Sequence, residues 1–182
     1  MQKKILILSG SSRKDGNTDK LCIQFEKGAL DKGHLVEKVL LNEKKIEFCD
    51  ACYECQQNGG ICHIKDDVPE LVSKLMEVDV IVLASPVYFY SISGRLKAFL
   101  DRCFMKWKNI ENKEFYYIIT SAQDHKQTIA CTLGSLRGFA VCMGNSKEKG
   151  VLCAQGFDPE RTIENTEYMQ KAYDLGYSIS LE

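Results

Sequence analysis

The sequence predicts an α/β fold, a three-layer sandwich built on a five-stranded parallel sheet, and three observations point there. Apolar runs alternate with amphipathic stretches along the 182 residues, and βαβα order implies parallel strands with helices on both faces. The first run, Ile5–Leu8, empties straight into a loop of hydroxyls, amides and glycines, Ser9–Thr18. There are five such runs, and a polar loop after the first of five favours strand order 2-1-3-4-5 over the six-stranded dinucleotide-binding order.

Each element has its own reason. Ile5–Leu8 is four consecutive apolar residues, the mark of a strand buried on both faces. Thr18 or Asn17 then serves as N-cap for a helix over Leu21–Lys32. The remaining strands are expected at Leu35–Leu41, Val78–Ala84, Phe115–Thr120 and Gly150–Ala154. Between and after them come amphipathic stretches at Val68–Met76, Ile92–Phe104, Thr128–Met143 and Thr162–Ile179. Two connections fall outside the alternation, Asn42–Asp66 and Met105–Glu114. Long connections in a compact domain are usually functional or disordered. With no repeat, low-complexity tract or linker, residues 1–182 are expected to form one flavodoxin-like domain carrying a cysteine-rich insertion at about 46–66.

Composition narrows the function. A net charge of −1 leaves no broad basic face for nucleic acid and no strongly acidic docking face. No segment approaches the roughly 18 apolar residues of a membrane span. The chain enters a strand at once, which leaves no room for a signal peptide and points to the cytoplasm. Nine cysteines in such a chain argue for thiol or metal chemistry over a disulfide framework.

The loop Ser9–Thr18 is a candidate anion site, because a strand, a polar loop and a helix N-terminus aim backbone N–H groups and the helix dipole at one place. It is neither G-x-x-x-x-G-K-[ST] nor G-x-G-x-x-G: Asn17 stands where the lysine of the former belongs. A single phosphate held by hydroxyls and backbone donors fits, and FMN is the leading ligand. At the carboxyl end of the third strand, Ser85-Pro86-Val87-Tyr88-Phe89-Tyr90 ends the strand and offers flat faces to a planar ring. Thr120-Ser121-Ala122-Gln123-Asp124-His125 is a third polar loop on the same rim. The candidate cofactor-binding residues are therefore Ser9, Ser11, Ser12, Arg13, Asn17 and Thr18 on the first loop, Pro86, Val87, Tyr88 and Phe89 on the second, and Ser121 on the third. No catalytic dyad or histidine motif is present. His34, His63 and His125 read as solvated or satisfied, with His125 closest to the ring loop. Trp107 either covers a neighbouring subunit's flavin or packs under its own loop.

Cys49, Cys52, Cys55 and Cys62 are spaced C-x₂-C-x₂-C-x₆-C. Three thiols at successive i+3 positions can converge on one small object, and thiolates are the ligands of iron–sulfur clusters. Gly59 and Gly60 would let the loop fold back to bring in Cys62. Zinc sites more often pair two separate C-x-x-C knuckles. Plain structural thiols are the third possibility, because Cys22, Cys103, Cys131, Cys142 and Cys153 lie in apolar contexts where cysteine is a small core residue.

The succession Ser9-Gly10-Ser11-Ser12-Arg13…Gly16-Asn17-Thr18, four cysteines, Asp66-Asp67, Ser85-Pro86-Val87-Tyr88 and Leu96-Lys97-Ala98-Phe99-Leu100-Asp101-Arg102 resembles the NADPH-dependent FMN reductase family. More narrowly it is similar to the branch containing the iron–sulfur flavoproteins. The resemblance implies that Ser9, Ser11, Arg13, Asn17 and Thr18 hold the FMN phosphate and ribityl chain, and that Pro86, Val87 and Tyr88 line the isoalloxazine. It implies a homodimer or homotetramer, and a [4Fe–4S] centre on the four cysteines. In the reductase reading NAD(P)H is the reductant and a flavin, quinone or similar small molecule the acceptor. In the alternative, electrons pass between ferredoxin and an acceptor through the cluster. Arg95, Lys97, Asp101 and Arg102 read as a solvated charged face, or else as a subunit contact.

Overall fold

A computed structural model describes residues 1–158 and 160–181. Its sheet is parallel, in the order β2-β1-β3-β4-β5, with β1 Lys4–Ser9, β2 Leu35–Leu40, β3 Val80–Pro86, β4 Glu114–Ser121 and β5 Lys147–Gln155. The helices are α1 Asn17–Asp31, α2 Glu54–Gln57, α3 Val68–Glu77, α4 Gly94–Arg102, α5 Lys126–Val141 and α6 Glu167–Tyr177. The expected order and layering are both present.

Successive side chains of a strand point to opposite faces, and β1 sorts the two halves of the core accordingly. Ile5 and Ile7 join Leu21, Phe25 and Ala29 of α1 and Ala172 of α6 on one side. Leu6 and Leu8 join α3, α4 and α5 on the other, through Leu71, Leu75, Leu96, Phe99, Ile129 and Leu136. The three interior strands β1, β3 and β4 are therefore buried on both faces, whereas edge strand β2 alternates exposed and half-buried residues before its buried end at Val39 and Leu40. Helices α1 and α6 approach until their backbones touch: a Cβ on Gly28 would lie 2.0 Å from the Tyr173 carbonyl oxygen, and one on Gly176 2.1 Å from that of Phe25.

Several boundaries shift. Helix α1 begins at Asn17 with Gly16 as its N-cap and no capping side chain, so neither Asn17 nor Thr18 caps it. Helix α4 begins after Ser93, whose hydroxyl accepts the Leu96 amide. Helix α6 starts at Glu167, not Thr162, because Asp158, Arg161 and Ile163 bond to Asn17 at the N-terminus of α1. The thiols also divide unevenly. Cys22 and Cys103 are buried, but Cys131 and Cys142 are exposed, the two standing three turns apart on the face of α5 away from Leu136. Burial pushes Cys22 up to about 12 and Cys153 up to about 11, which keeps both as neutral thiols.

Candidate functional site

The three polar loops meet at the carboxyl ends of β1, β3 and β4, where ligands bind in open α/β sheets. They enclose a cleft of about 120 Å³ bounded by Ser11, Arg13, Gly16, Asn17 and Thr18, by Pro86, Val87 and Tyr88, and by Thr120 and Ala122. The first turn of α1 opens into it. With no side chain capping that turn, its amides are free donors for an anion. Ser11 stiffens the loop, its hydroxyl accepting the Arg13 amide and donating to the Arg13 carbonyl, each at 3.2 Å. Thr18 and Thr120 share a buried hydroxyl contact of 2.7 Å that locks the first loop to the third. Opposite, the Val87 amide donates to the Thr120 carbonyl at 2.8 Å and fixes the wall to β4.

Not every expected residue faces this cleft. Ser9 is fully buried on the α1 side of the sheet. The Ser12 side chain is exposed away from the lining, and its carbonyl accepts the Asn42 amide. Ser121 is buried, its hydroxyl accepting the Gln123 amide and donating to the Gln123 carbonyl. His125 is exposed and lines no part of the cleft. Asn17 lines the cleft, but its side chain is engaged elsewhere. Its Nδ2 donates to the carbonyls of Asp158 and Arg161 at 3.1 and 3.2 Å, and its Oδ1 accepts the Ile163 amide at 3.0 Å. That contact brings in a fourth wall, Phe157 and Asp158, which the motifs did not reveal. Its signal was positional: it follows the carboxyl end of β5.

The second loop has an unusual tip. Tyr88 and Ser91 exchange backbone hydrogen bonds of 2.9 and 3.0 Å around Phe89 and Tyr90, both left-handed at φ +46° and +61°. Such a turn favours Asn-Gly, and an aromatic there costs on the order of 1–2 kcal/mol per residue. The strain holds Phe89 wholly in solvent, with Tyr88 and Tyr90 half-exposed beside it.

All four motif cysteines line a second cavity, of about 210 Å³. The loop that carries them is clasped at its neck. Asp67 accepts the Lys45 amide at 2.8 Å and returns its own amide to the Lys45 carbonyl at 3.0 Å. Asp66 accepts the Glu47 and Val68 amides. Arg102 closes the neck, paired in two bonds with Asp66 at 2.9 and 3.2 Å and donating to the Glu47 carbonyl at 3.1 Å. The expectation of a solvated Arg102 is thus corrected: its side chain is 2% exposed and that of Asp66 0%. Arg95, Lys97 and Asp101 do lie in solvent. Burial alone would lower the Arg102 guanidinium, but Asp66, with the neighbouring Cys62 sulfur, holds it above its ordinary value.

Within the loop, Gly59 and Gly60 take φ +74° and +88° and fold the chain back, the Gly60 amide reaching the Cys55 carbonyl at 2.7 Å. Cys52 Sγ lies 3.4 Å from His63 Nδ1, and His63 Nε2 lies 3.0 Å from Asp50. The Glu54 amide pulls the Cys52 thiol down, yet slight desolvation and the Asp50 and Glu54 carboxylates outweigh it and leave the exposed thiol above its ordinary value. Trp107 packs against the core beside Cys55, in keeping with packing under its own loop. Four cysteines lining one cavity, with the buried and partnerless Arg102 Nε–H beside them, make a donor set that fits an iron–sulfur group.

A model of the NADPH-dependent FMN reductase family matches residues 3–139. The chain belongs to that family. The match takes in the first and second loops, the cysteine loop and α4, and stops within α5. An iron–sulfur flavoprotein of Methanocaldococcus jannaschii is 38% identical over 99 residues, 54% of this chain and 51% of that protein. A Bacillus subtilis protein named as an NAD(P)H-dependent FMN-containing oxidoreductase is 30% identical over 99 residues, 54% of this chain and 51% of its own. The chain thus spans about half the length of the curated relatives it matches. Among solved structures, an NAD(P)H:quinone oxidoreductase from Methanothermobacter marburgensis superposes with a TM-score of 0.82 over 100% of this chain and 98% of that one, at 14% identity. That likeness speaks for the fold. No described helix is long and apolar enough to cross a membrane.

Proposed function

We propose that the chain is an FMN-dependent oxidoreductase that takes reducing equivalents from NAD(P)H and passes them to a small-molecule acceptor such as a flavin or quinone. The observation that carries this reading is the convergence of three loops on one cleft with an uncapped helix N-terminus at one end and the Pro86–Tyr88 wall at the other. Bound FMN supplies the hydride and electron chemistry. The residues bind and orient. Arg13 and the α1 amides face a phosphate, on a loop held in shape by the hydroxyls of Ser11 and Thr18. Pro86 gives a donor-free wall and Tyr88 a flat face for the ring, with Phe89 at the rim. Ser9, Ser12 and Ser121 support the loops from behind, and Asn17 holds the fourth wall. The exposed aromatics at the cleft rim suit a homodimer or homotetramer, and nine free thiols suit the cytoplasm. The test is rapid mixing of FMN-loaded protein with NADPH or NADH under nitrogen. Loss of the oxidised flavin absorbance within seconds supports the proposal, and an unchanged spectrum after minutes with both nucleotides overturns it.

A second reading is favoured by the cysteine cavity. In it the chain is an iron–sulfur flavoprotein whose Cys49, Cys52, Cys55 and Cys62 hold a [4Fe–4S] centre that exchanges electrons with ferredoxin. Anaerobic reconstitution should then load about four irons per chain. Cys52→Ser should lower that iron while leaving FMN bound, because the phosphate loop is a separate site. No iron uptake overturns this reading and leaves the reductase standing.

A further inference from the structure

Arg102 does more than the neck of the loop requires. Two of its nitrogens close on Asp66 and the Glu47 carbonyl, which is enough to clasp both ends of residues 47–66. Its third nitrogen, Nε, is buried and has no hydrogen-bond partner. A buried N–H without an acceptor is rare and costly. The same side chain lines the cavity that holds the four sulfurs, with Cys62 beside the guanidinium. The acceptor nearest the guanidinium is the Cys62 sulfur, whose interaction already raises Arg102, and the unmet Nε–H is accounted for if that sulfur carries negative charge. A thiol bearing its own proton accepts weakly, whereas a thiolate bound to iron, or the inorganic sulfide beside it, accepts well.

We propose that Arg102 is a positioning residue for the cysteine cavity, its free Nε–H directed at the sulfurs of an iron–sulfur centre with Cys62 foremost, so that it raises the reduction potential of that centre. The inference rests on the cluster reading above and deepens it. Hydrogen bonds to cluster sulfurs and the local charge are among the features that set such potentials. A directed donor stabilises the reduced, more negative centre more than the oxidised one. Asp66 cancels most of the guanidinium's net charge, so the effect comes from the N–H direction.

The test compares the parent with Arg102→Met/Asp66→Leu and Arg102→Lys, each reconstituted anaerobically with iron and sulfide. The double variant removes both charges together and so avoids stranding a buried carboxylate. Circular dichroism and FMN binding confirm that each variant is folded. The readouts are iron per chain and the midpoint potential of the iron signal by electron paramagnetic resonance. The proposal expects the double variant to be at least tenfold harder to reduce, a fall of about 59 mV for one electron. It expects Arg102→Lys, which keeps the charge but loses Nε, to fall as well. Folded variants that lose iron while the parent holds it overturn the potential-setting role and leave Arg102 a clasp. Parent and double variant with equal iron and equal potential overturn it and leave Arg102 a clasp. A parent that takes up no iron overturns the cluster reading, and this proposal with it.

Discussion

Asn17→Ala separates two roles for one residue. As a direct phosphate ligand, Asn17 would matter only to FMN; as placed, its amide ties the 158–163 segment to α1 by three hydrogen bonds. Two of these are exposed and one, from the Ile163 amide, is half-buried beside a fully buried side chain. At about 0.5 kcal/mol for each exposed bond and 1–1.5 for the other, the loss is about 2–2.5 kcal/mol. Alanine returns about 0.5 kcal/mol as a better helix former than asparagine. The net loss of about 1.5–2 kcal/mol falls on the segment that carries Phe157 and Asp158. Urea unfolding of the ligand-free protein should show it directly. Titrations should show FMN and riboflavin weakened by the same factor, because what is lost is a wall of the cleft and not a donor to the phosphate. Unchanged stability together with loss of FMN affinity alone would refute the reasoning and restore Asn17 as a phosphate ligand.

Gly28→Ala should destabilise by about 1–3 kcal/mol, opposite to the gain of about 1 kcal/mol usual for this exchange in an exposed helix, because the new methyl meets the Tyr173 backbone of α6. A raised thermal midpoint would contradict the close packing of the two helices. Acidification should open the cysteine loop. Burial alone would raise the Asp66 carboxyl, but the Glu47 amide, Arg102 and the Val68 amide hold it below its ordinary 3.8. A depressed carboxyl contributes stability that is present above the unfolded value and lost as pH falls through the folded one. Emission from Trp107, the lone tryptophan, packed beside Cys55, should therefore change only below about pH 3.8. A transition centred above pH 5 would point to another group.

The legible parts of this protein are those written in local periodicity. Ile5–Leu8 is apolar without a break because both faces of β1 are covered, and strand order follows from the alternation with helices. The cysteine spacing and the paired glycines named their loop outright. What stayed hidden depends on partners far away in sequence. Asn17 looks like a loop polar residue until residues more than 140 positions later claim its side chain. Arg102 reads as surface because its neighbours are charged, yet it lies three residues after Phe99 and six after Leu96, on the buried stripe of α4. That spacing was the available signal. Ser9 misled for the opposite reason: it sits in the polar loop by composition but takes the inward phase of β1.

The clasp at the cysteine loop has a consequence for how the two cavities communicate. Its bonds join Lys45 and Glu47 to Asp66 and Asp67, so the ends of the loop are closed on each other before residues 48–65 adopt any particular shape. The entropy of closing the ring is met at the neck, and rearrangement beyond it leaves the sheet unchanged. Filling or emptying the sulfur cavity therefore does little mechanical work on the cleft at β1 and β3. By linkage, two sites without a shared deformable element have little coupling free energy in either direction. Under the proposed readings, each site would then keep its own affinity for what it binds.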